Sequence, residues 1–266
     1  MKPIKLVLSG SGTRYPVFIG AIRRLEKANY KISEVCGVSG GSIIAAGLAK
    51  GMNSVELEKL AKSTLPGPLL DARWFTDWIS NDPYKGIWKG NKFLKKFYEV
   101  LPKSFDECKI PLHIVTFNIS RGQHRIWSAA TKAEFNDVPR LVRASMSLPV
   151  FDSCMINGEW HEDGGFGANF PLDVFGHGQD VIGMRFRGTD PRKIRKFSRK
   201  TERLVAMIDD FIESAAREHI EDAMFARVML LDTKAGGLDL GMNASAVDSM
   251  IKEGEASADK WLSENL

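Results

Sequence analysis

The sequence predicts an α/β protein with a single three-layer α/β/α domain, in which helices cover both faces of a central, mainly parallel sheet. The main evidence is a unit of strand, glycine-rich turn and helix that occurs twice before residue 52. Units of this kind place successive strands parallel in one sheet. The 266 residues show no repeat, composition shift or low-complexity linker, so residues 1–266 are interpreted as one domain.

Short apolar runs and glycine turns define the elements of the first half. The run from Ile4 to Leu8 stops at a glycine-rich turn, which predicts a buried strand. Pro16 suits a first helical turn, and Gly51 is typical of a helix C-terminus. Pro66-Gly67-Pro68 is expected to break the chain. The predicted elements are strands at 4–8 and 33–36 and helices at 16–28, 42–50, 55–64 and 91–100.

The second half combines further strands with three helices. Asn157-Gly158, between two short apolar segments, is a strong signal for a β-hairpin. The predicted strands are 112–117, 125–128, 155–156, 159–161 and 180–186, and the predicted helices are 138–146, 201–226 and 246–262.

The composition is that of a globular protein. Hydrophobic residues make up 44% and charged residues 26%, which argues against disordered, collagen-like and coiled-coil chains. The net charge of +4 is too small to predict nucleic-acid binding. Cys36, Cys108 and Cys154 form neither a disulfide framework nor a metal-ligand pattern. No signal peptide or transmembrane run of about 20 apolar residues is recognised, so a cytoplasmic location is predicted.

Gly37-Val38-Ser39-Gly40-Gly41 fits the pattern G-x-S-x-G between a predicted strand and a helix of small residues. A nucleophile elbow requires this context, because the glycines leave room for a strained turn that presents the serine. The start of the following helix favours the negative charge that develops during acyl transfer. Ser39 is therefore the candidate nucleophile, and a merely tight turn between strand and helix is the alternative.

A serine nucleophile needs a base, and the sequence offers histidines and one well-placed aspartate. None of the histidines lies in the exposed glycine-flanked loop typical of a triad, although His177 in Gly176-His177-Gly178 comes closest. Asp163, which precedes Gly164 and Gly165, is the better candidate, because partial burial would raise its pKa above about 3.9 and improve it as a base. Taken alone, Asp-Gly-Gly is also ordinary turn chemistry. The histidines are His113, His124, His161, His177 and His219.

Gly10-Ser11-Gly12 lies between the first strand and the first helix, where its backbone N–H groups can point at one anion. The competing interpretation is a nucleotide site, since residues 10–15 nearly match G-x-G-x-x-G. Tyr15 fills the third glycine position, however, and no Gly-Lys-Ser/Thr follows. An oxyanion hole is therefore favoured over phosphate binding, and no cofactor or metal is predicted.

Taken together, these motifs resemble those of the patatin-like phospholipases. That family combines a glycine-rich loop and a following Arg or Lys, here Gly10 to Arg14, with a G-x-S-x-G serine and an Asp-Gly-Gly aspartate. Residues 143–149, Asn169 with Pro171, and residues 250–256 also resemble family segments, so the likeness spans nearly the whole chain.

The resemblance implies a Ser39–Asp163 dyad without a histidine, and an oxyanion hole formed by Gly10, Ser11 and Gly12 with Arg14 adjacent. It also implies phospholipase A or lysophospholipase activity, in which acyl esters of lipids are hydrolysed through an acyl-enzyme without a metal.

Two residues depart from the family pattern. Ser11 replaces the middle one of three glycines, and Tyr15 replaces a glycine after the basic residue. A non-glycine residue at positive φ is strained, so the loop is expected to differ in shape. Three alternatives stay open: a catalytically weak lipid-binding or regulatory protein, a general carboxylesterase, and a basic nucleic-acid-binding module.

Two further segments are candidates for contact with lipid. Trp74, Phe75, Trp78 and Ile79 would share one helix face, which suits either the core or a lipid surface. Lys196, Arg199, Lys200 and Arg203 would share another, which suits either solvent or anionic lipid head groups. A lipid ester is thus the expected partner, with peripheral contact to an anionic membrane as a candidate and no nucleic acid. The oligomeric state is not predicted.

Overall fold

The computed structural model describes residues 1–73, 82–176, 178–187 and 227–265. Within these residues, eight strands form one mixed sheet in the order β5-β6-β3-β2-β1-β7-β8, with β4 also paired to β3. The strands β1 to β8 are Lys2–Leu8, Tyr30–Val38, Leu112–Asn118, Gln123–Trp127, Cys154–Ile156, Glu159–Asp163, Val181–Phe186 and Arg227–Leu231.

Helices lie on both sides of this sheet, which confirms the predicted α/β fold. Side chains alternate along the strands, so that Leu6 and Leu8 enter the larger core while Val7 enters a smaller core on the other face. The smaller core is closed by Phe170 and Leu172. The helices α1 to α8 within the described residues are Pro16–Lys27, Gly40–Lys50, Ser54–Ser63, Pro66–Leu69, Asn91–Val100, Val138–Ser145, Gly165–Ala168 and Ala244–Asn265.

The centre of the sheet is parallel, and one side of it is antiparallel. β1 pairs in parallel with β2 and β7, β2 pairs in parallel with β3, and β7 pairs in parallel with β8. β4, β5 and β6 form antiparallel pairs. Leu8 is the register partner of Gly37, so the glycine-rich turns that follow β1 and β2 lie side by side.

β3 brings β6 into line with the end of β2. Val115 of β3 pairs with Val38 of β2, and the next residue, Thr116, pairs with Asp163 of β6. β4 pairs with β3 over the same stretch and occupies its other edge. The end of β6 therefore meets the end of β2, which places Asp163 next to Ser39.

α1 and α8 pack closely against each other in the larger core. A Cβ atom on Gly20 would lie 1.9 Å from the Ile251 carbonyl oxygen, and one on Gly254 would lie 1.9 Å from the Val17 carbonyl oxygen. Only glycine permits this approach of the two backbones. The last described helix thus holds α1, which begins directly after the glycine-rich turn of β1.

Each predicted strand or helix that falls on described residues begins and ends within three residues of its predicted bounds, and two further segments differ from prediction. β8 was not predicted, because Val228 to Leu231 is only a four-residue apolar run. Pro66-Gly67-Pro68 forms the short helix α4 instead of a break, since proline is tolerated in a first turn whose N–H groups have no helical acceptor. The helix predicted at 201–226 lies outside the described residues.

Candidate active site

Ser39 stands on the sharp turn between β2 and α2. Its φ of 51° and ψ of −129° are strained for a residue other than glycine. The turn is tight because Gly41 packs on the strand next to it, where a Cβ atom would lie 2.5 Å from the Ser9 carbonyl oxygen. The N–H and hydroxyl of Ser42 both donate to the Ser39 carbonyl oxygen, at 2.9 and 2.6 Å. This geometry is the one expected of a nucleophile elbow.

Asp163 ends β6 with its carboxylate against Ser39. The Ser39 hydroxyl donates a hydrogen bond of 2.6 Å to Asp163 Oδ2, and the Gly165 N–H donates one of 2.8 Å to Oδ1. The backbone is held as well, because the N–H of Asp163 donates to the Ser147 carbonyl oxygen at 3.1 Å. The structure thus brings together the two residues that the sequence singled out from motifs 124 positions apart.

Burial tunes the Asp163 carboxyl group. The side chain is fully buried, and desolvation raises its pKa from 3.8 to about 7, although the Ser39 and Gly165 hydrogen bonds oppose the shift. A carboxylate with a pKa near 7 accepts a proton far more readily than an exposed aspartate does. Asp163 is therefore suited to act as a base at neutral pH.

A second serine supports the elbow from α6, and sequence reasoning did not identify it as a site residue. The Ser39 N–H donates to Ser145 Oγ at 2.9 Å, and the Gly164 N–H donates to the Ser145 carbonyl oxygen at 3.2 Å. Ser145 thereby holds Ser39 and the residue that follows Asp163. The only signal for it in the sequence was its place in the segment 143–149.

The glycine-rich turn of β1 presents two backbone donors beside Ser39. The Gly10 N–H is already engaged, because it donates to the Asn169 carbonyl oxygen at 3.1 Å. Within the described part of the chain, the N–H groups of Ser11 and Gly12 have no protein acceptor. Gly12 takes the positive φ of the turn, 55°, whereas Ser11 has a φ of −136° that any residue adopts. Serine therefore fits the position where the family pattern has a glycine.

Arg14 holds the peptide that joins these two donors. Its Nε donates to the Ser11 carbonyl oxygen at 3.2 Å, as does its backbone N–H at 3.1 Å, and its guanidinium lies 4.4 Å from the centre of the Phe186 ring. In a trans peptide the N–H points away from the C=O. Fixing the Ser11 carbonyl oxygen therefore also fixes the direction of the Gly12 N–H.

Tyr15 does not require a strained backbone. Its φ is −52°, in the right-handed helical region, and its buried hydroxyl lies 3.2 Å from both the carbonyl oxygen and Oγ1 of Thr64. Burial raises the pKa of the Tyr15 hydroxyl to about 12, so it remains protonated. At this position the family pattern has a glycine, and the difference lies in the Tyr15 side chain and not in the backbone. That side chain joins the start of α1 to the end of α3.

An apolar pocket opens beside Ser39. The empty space in and around it, which includes open solvent at its mouth, amounts to about 470 Å³. Apolar side chains dominate its wall, and Ser39, Gly12 and Gly40 lie on the same surface. The remaining lining residues are Thr13, Tyr15, Ile43, Thr64, Pro66, Phe93, Met146, Leu148, Phe151, Leu238 and Leu240. A hydrocarbon chain attached to a carbonyl at Ser39 would find an apolar environment here.

Two of the described histidines, His113 and His161, have side-chain partners other than Ser39 and Asp163. Nδ1 of His161 lies 2.9 Å from Thr116 Oγ1, and burial lowers the His161 pKa to about 4, which leaves the ring neutral at pH 7. Nε2 of His113 lies 2.8 Å from Glu34 Oε1. His161 and His113 therefore have structural partners on the sheet. His177 and His219 lie outside the described residues.

The two segments predicted to contact lipid also lie outside the described residues, at 74–81 and 188–226. In the parts of the chain that the structure covers, no three His, Cys, Asp or Glu side chains are grouped as metal ligands. None of the described helices has the length and apolar character needed to traverse a bilayer.

Comparison with known proteins shows which family the chain resembles. Residues 6–175 match the model of the patatin-like phospholipases. The uncharacterized protein YqhO of Bacillus subtilis (strain 168) is 25% identical over 232 residues, which cover 79% of this chain and 80% of that protein. The neuropathy target esterase sws of Drosophila melanogaster is 27% identical over 176 residues, which cover 64% of this chain but only 12% of the esterase. The crystal structure of VipD from Legionella pneumophila shares the fold, with a TM-score of 0.58, 15% identity, and coverage of 98% of this chain and 67% of VipD.

Proposed function

The chain belongs to the patatin-like phospholipase family, whose members are lipid acyl hydrolases, and from this premise we propose that it cleaves acyl esters of phospholipids or lysophospholipids with Ser39 and Asp163. The observation that carries the proposal is the 2.6 Å hydrogen bond from Ser39 Oγ to the buried Asp163 carboxylate. The apolar pocket at the same serine supports an acyl substrate. Residues 1–266 are proposed to act as one catalytic domain, because strands from both ends of the chain share a sheet.

In the first step, Ser39 Oγ attacks the ester carbonyl carbon while Asp163 takes the hydroxyl proton. The new C–O bond places a negative charge on the carbonyl oxygen, which the N–H groups of Ser11 and Gly12 stabilise. The start of α2 adds the positive end of a helix dipole at the same place. As the tetrahedral intermediate collapses, the alcohol of the lipid leaves with the proton held by Asp163, and Ser39 remains acylated.

In the second step, a water molecule attacks the acyl-enzyme. Asp163 takes a proton from the water, and the same backbone donors hold the second oxyanion. Return of that proton to Ser39 Oγ releases the fatty acid and restores the enzyme. Gly10 contributes to this hole indirectly, since its N–H is bonded to Asn169 and fixes the start of the turn.

The environment proposed for the reaction is the cytoplasm, with peripheral contact to anionic lipid. Cys36, Cys108 and Cys154 are free thiols, which fits a reducing compartment. Contact with anionic head groups would be weakened by salt, because ions screen surface charges. Binding to phosphatidylserine vesicles at two salt concentrations tests the proposed contact with anionic lipid, and equal binding to neutral vesicles would contradict that contact.

Fluorophosphonate labelling combined with ester hydrolysis tests the catalytic proposal. Wild-type protein should be labelled and should hydrolyse a lysophospholipid, whereas Ser39→Ala should do neither. Hydrolysis of p-nitrophenyl butyrate without any hydrolysis of lipid would favour a general carboxylesterase. Lipid binding without labelling or hydrolysis would favour a lipid-binding or regulatory protein and would contradict the proposal.

A further inference from the structure

The loop between β8 and α8, residues 232–243, lies against the glycine-rich turn of β1. The backbone N–H of Thr13 donates to the Gly237 carbonyl oxygen at 2.8 Å, and the Thr13 hydroxyl lies 3.3 Å from the same oxygen. In return, the Asp239 N–H donates to Thr13 Oγ1 at 2.7 Å. This loop lies outside the residues 6–175 that match the family. A single side chain, Thr13, thus joins two parts of the chain that are 224 residues apart.

The contact reaches the proposed oxyanion donors. A Cβ atom on Gly12 would lie 1.8 Å from the Gly237 carbonyl oxygen, so the loop packs directly on the Gly12 backbone. The Ser11 carbonyl oxygen, in the peptide that carries the Gly12 N–H, is held by Arg14. The backbone at Gly12 is therefore held by both Arg14 and the β8–α8 loop.

The same loop contributes to the wall of the apolar pocket. Leu238 and Leu240, on either side of Asp239, line the pocket together with Ser39. Both are half-buried, so part of each leucine side chain is available to a bound chain. The ends of the loop are anchored, because the Thr233 hydroxyl donates to Glu253 at 2.5 Å and Met242 is buried in the larger core.

We propose that the β8–α8 loop completes the active site: Thr13 is a positioning residue for the oxyanion donors, and Leu238 and Leu240 determine acyl-chain preference. The inference rests on the proposed function, since it assigns roles within the same site. The Thr13 hydroxyl makes two hydrogen bonds to the loop, with the Gly237 carbonyl oxygen and the Asp239 N–H, and both depend on the Thr13 side chain. Removing that hydroxyl should loosen the donors without touching Ser39 or Asp163.

Thr13→Val and Thr13→Ser form a matched pair that tests the positioning role. Valine has nearly the shape of threonine and keeps the backbone N–H, but it loses both hydroxyl contacts, whereas serine keeps them. We expect Thr13→Val to lower kcat for p-nitrophenyl butyrate about tenfold, with KM changed less than about twofold and Thr13→Ser close to wild type. Amide hydrogen exchange at residues 235–242 should accelerate in Thr13→Val only.

Leucine truncations test the selectivity role. Leu238→Ala and Leu240→Ala should each lower kcat/KM for a p-nitrophenyl palmitate relative to the butyrate about tenfold, because a long chain loses apolar contact that a short chain never makes. Val55→Ala, at an exposed apolar position on α3, is the control and should leave the ratio at its wild-type value.

The outcomes separate this inference from the proposed function. If wild-type protein neither reacts with a fluorophosphonate nor hydrolyses an ester, the proposed function fails. The inference is then decided by hydrogen exchange in Thr13→Val and by binding of a fluorescent long-chain fatty acid, which Leu238→Ala and Leu240→Ala should weaken. If wild type is active and the Thr13 pair does not differ in kcat or in exchange, the positioning role is overturned. An unchanged ratio of palmitate to butyrate in both leucine variants overturns the selectivity role.

Discussion

The two glycine-rich turns at the ends of β1 and β2 adjoin, yet they are held in different ways. The turn at Ser39 is held by near neighbours, through the Ser42 hydrogen bonds to the Ser39 carbonyl oxygen and the packing of Gly37 against Ala45, and by one remote hydroxyl, that of Ser145. The turn at Gly12 has one near partner, Arg14, and is otherwise held by remote backbone, the Asn169 and Gly237 carbonyl oxygens. A short motif can thus specify most of the first turn, whereas the second depends more on the completed fold.

The largest effect is expected at the Ser39 turn and its partner. Ser39→Ala and Asp163→Asn should each lower kcat by about 10⁴-fold or more, because one variant removes the nucleophile and the other the base. Hydrolysis of a lysophospholipid measures the loss, and circular dichroism checks the fold. Ser33→Ala is the matched control, because Ser33 lies on β2, the strand that leads to Ser39, and its hydroxyl donates to the Ile4 carbonyl oxygen of β1 at the other end of that strand. Substantial activity in Ser39→Ala would remove this serine from the reaction.

A smaller loss of kcat is expected at the turn of β1, on substitution of Gly12 but not of the adjacent Ser11. Gly12→Ala should lower kcat about 100- to 1,000-fold, the range typical of a lost oxyanion donor, because its φ is positive and Gly237 leaves no room for a Cβ atom. Ser11→Gly should stay within about threefold of wild type, because the proposed donor is the backbone N–H. Steady-state kinetics on a soluble ester compare the two. Equal losses would show that the turn as a whole, and not Gly12, limits the reaction.

The pH dependence of the reaction should follow the Asp163 carboxyl group. Only the carboxylate accepts the proton from Ser39, so kcat/KM should rise with pH by about tenfold per unit and level off above about pH 7. A pH profile between 4 and 9 on a neutral ester measures the apparent pKa. A midpoint near 4 would mean that burial does not control the base.

The same shift predicts a change in stability. The Asp163 pKa of about 7 in the folded protein lies above its unfolded value of about 3.9, so the folded state binds this proton more tightly. That contribution is fully present below about pH 3.9 and is lost as pH rises through 7. Asp163→Asn lacks this contribution. From pH 5 to pH 8, the unfolding free energy of the variant should therefore rise by about 2–3 kcal/mol relative to that of wild type. Urea denaturation at the two pH values measures the difference, and parallel pH dependences would contradict it.

The smallest catalytic effect is expected at His161, two residues before Asp163. Its ring contacts Thr116 and lies 5.6 Å from the Trp127 ring, so His161→Phe should keep kcat within about threefold while lowering stability by about 1–2 kcal/mol. The ester assay and thermal denaturation separate the two effects. His177→Ala, in the motif that came closest to a triad histidine, should likewise remain active. If either variant were as inactive as Ser39→Ala with normal folding, the dyad should be replaced by a triad.

The sequence identified the candidate site residues that the structure brings together, but it predicted their surroundings less well. Ser39, Asp163 and the glycine-rich turn were identified from motifs, because tight turns restrict which residues can stand in them. Ser145 and the role of Thr13 were not identified, since one hydroxyl hydrogen bond to a distant backbone leaves no pattern along the chain. Tyr15 was expected to disturb the backbone of the loop, but its φ is ordinary and its hydroxyl reaches Thr64.

The sequence by itself determined the parallel centre of the sheet, the tight turn at Ser39 and the choice of Asp163 as the proposed base. Each follows from short-range rules of apolar period, glycine placement and turn chemistry. Only the tertiary structure decided that β6 continues along β3 where β2 ends, which brings Asp163 within 2.6 Å of Ser39. It also decided that burial raises the pKa of that carboxyl group and that the β8–α8 loop packs on Gly12. Desolvation and packing depend on what surrounds a residue in space, and those neighbours come from remote parts of the chain.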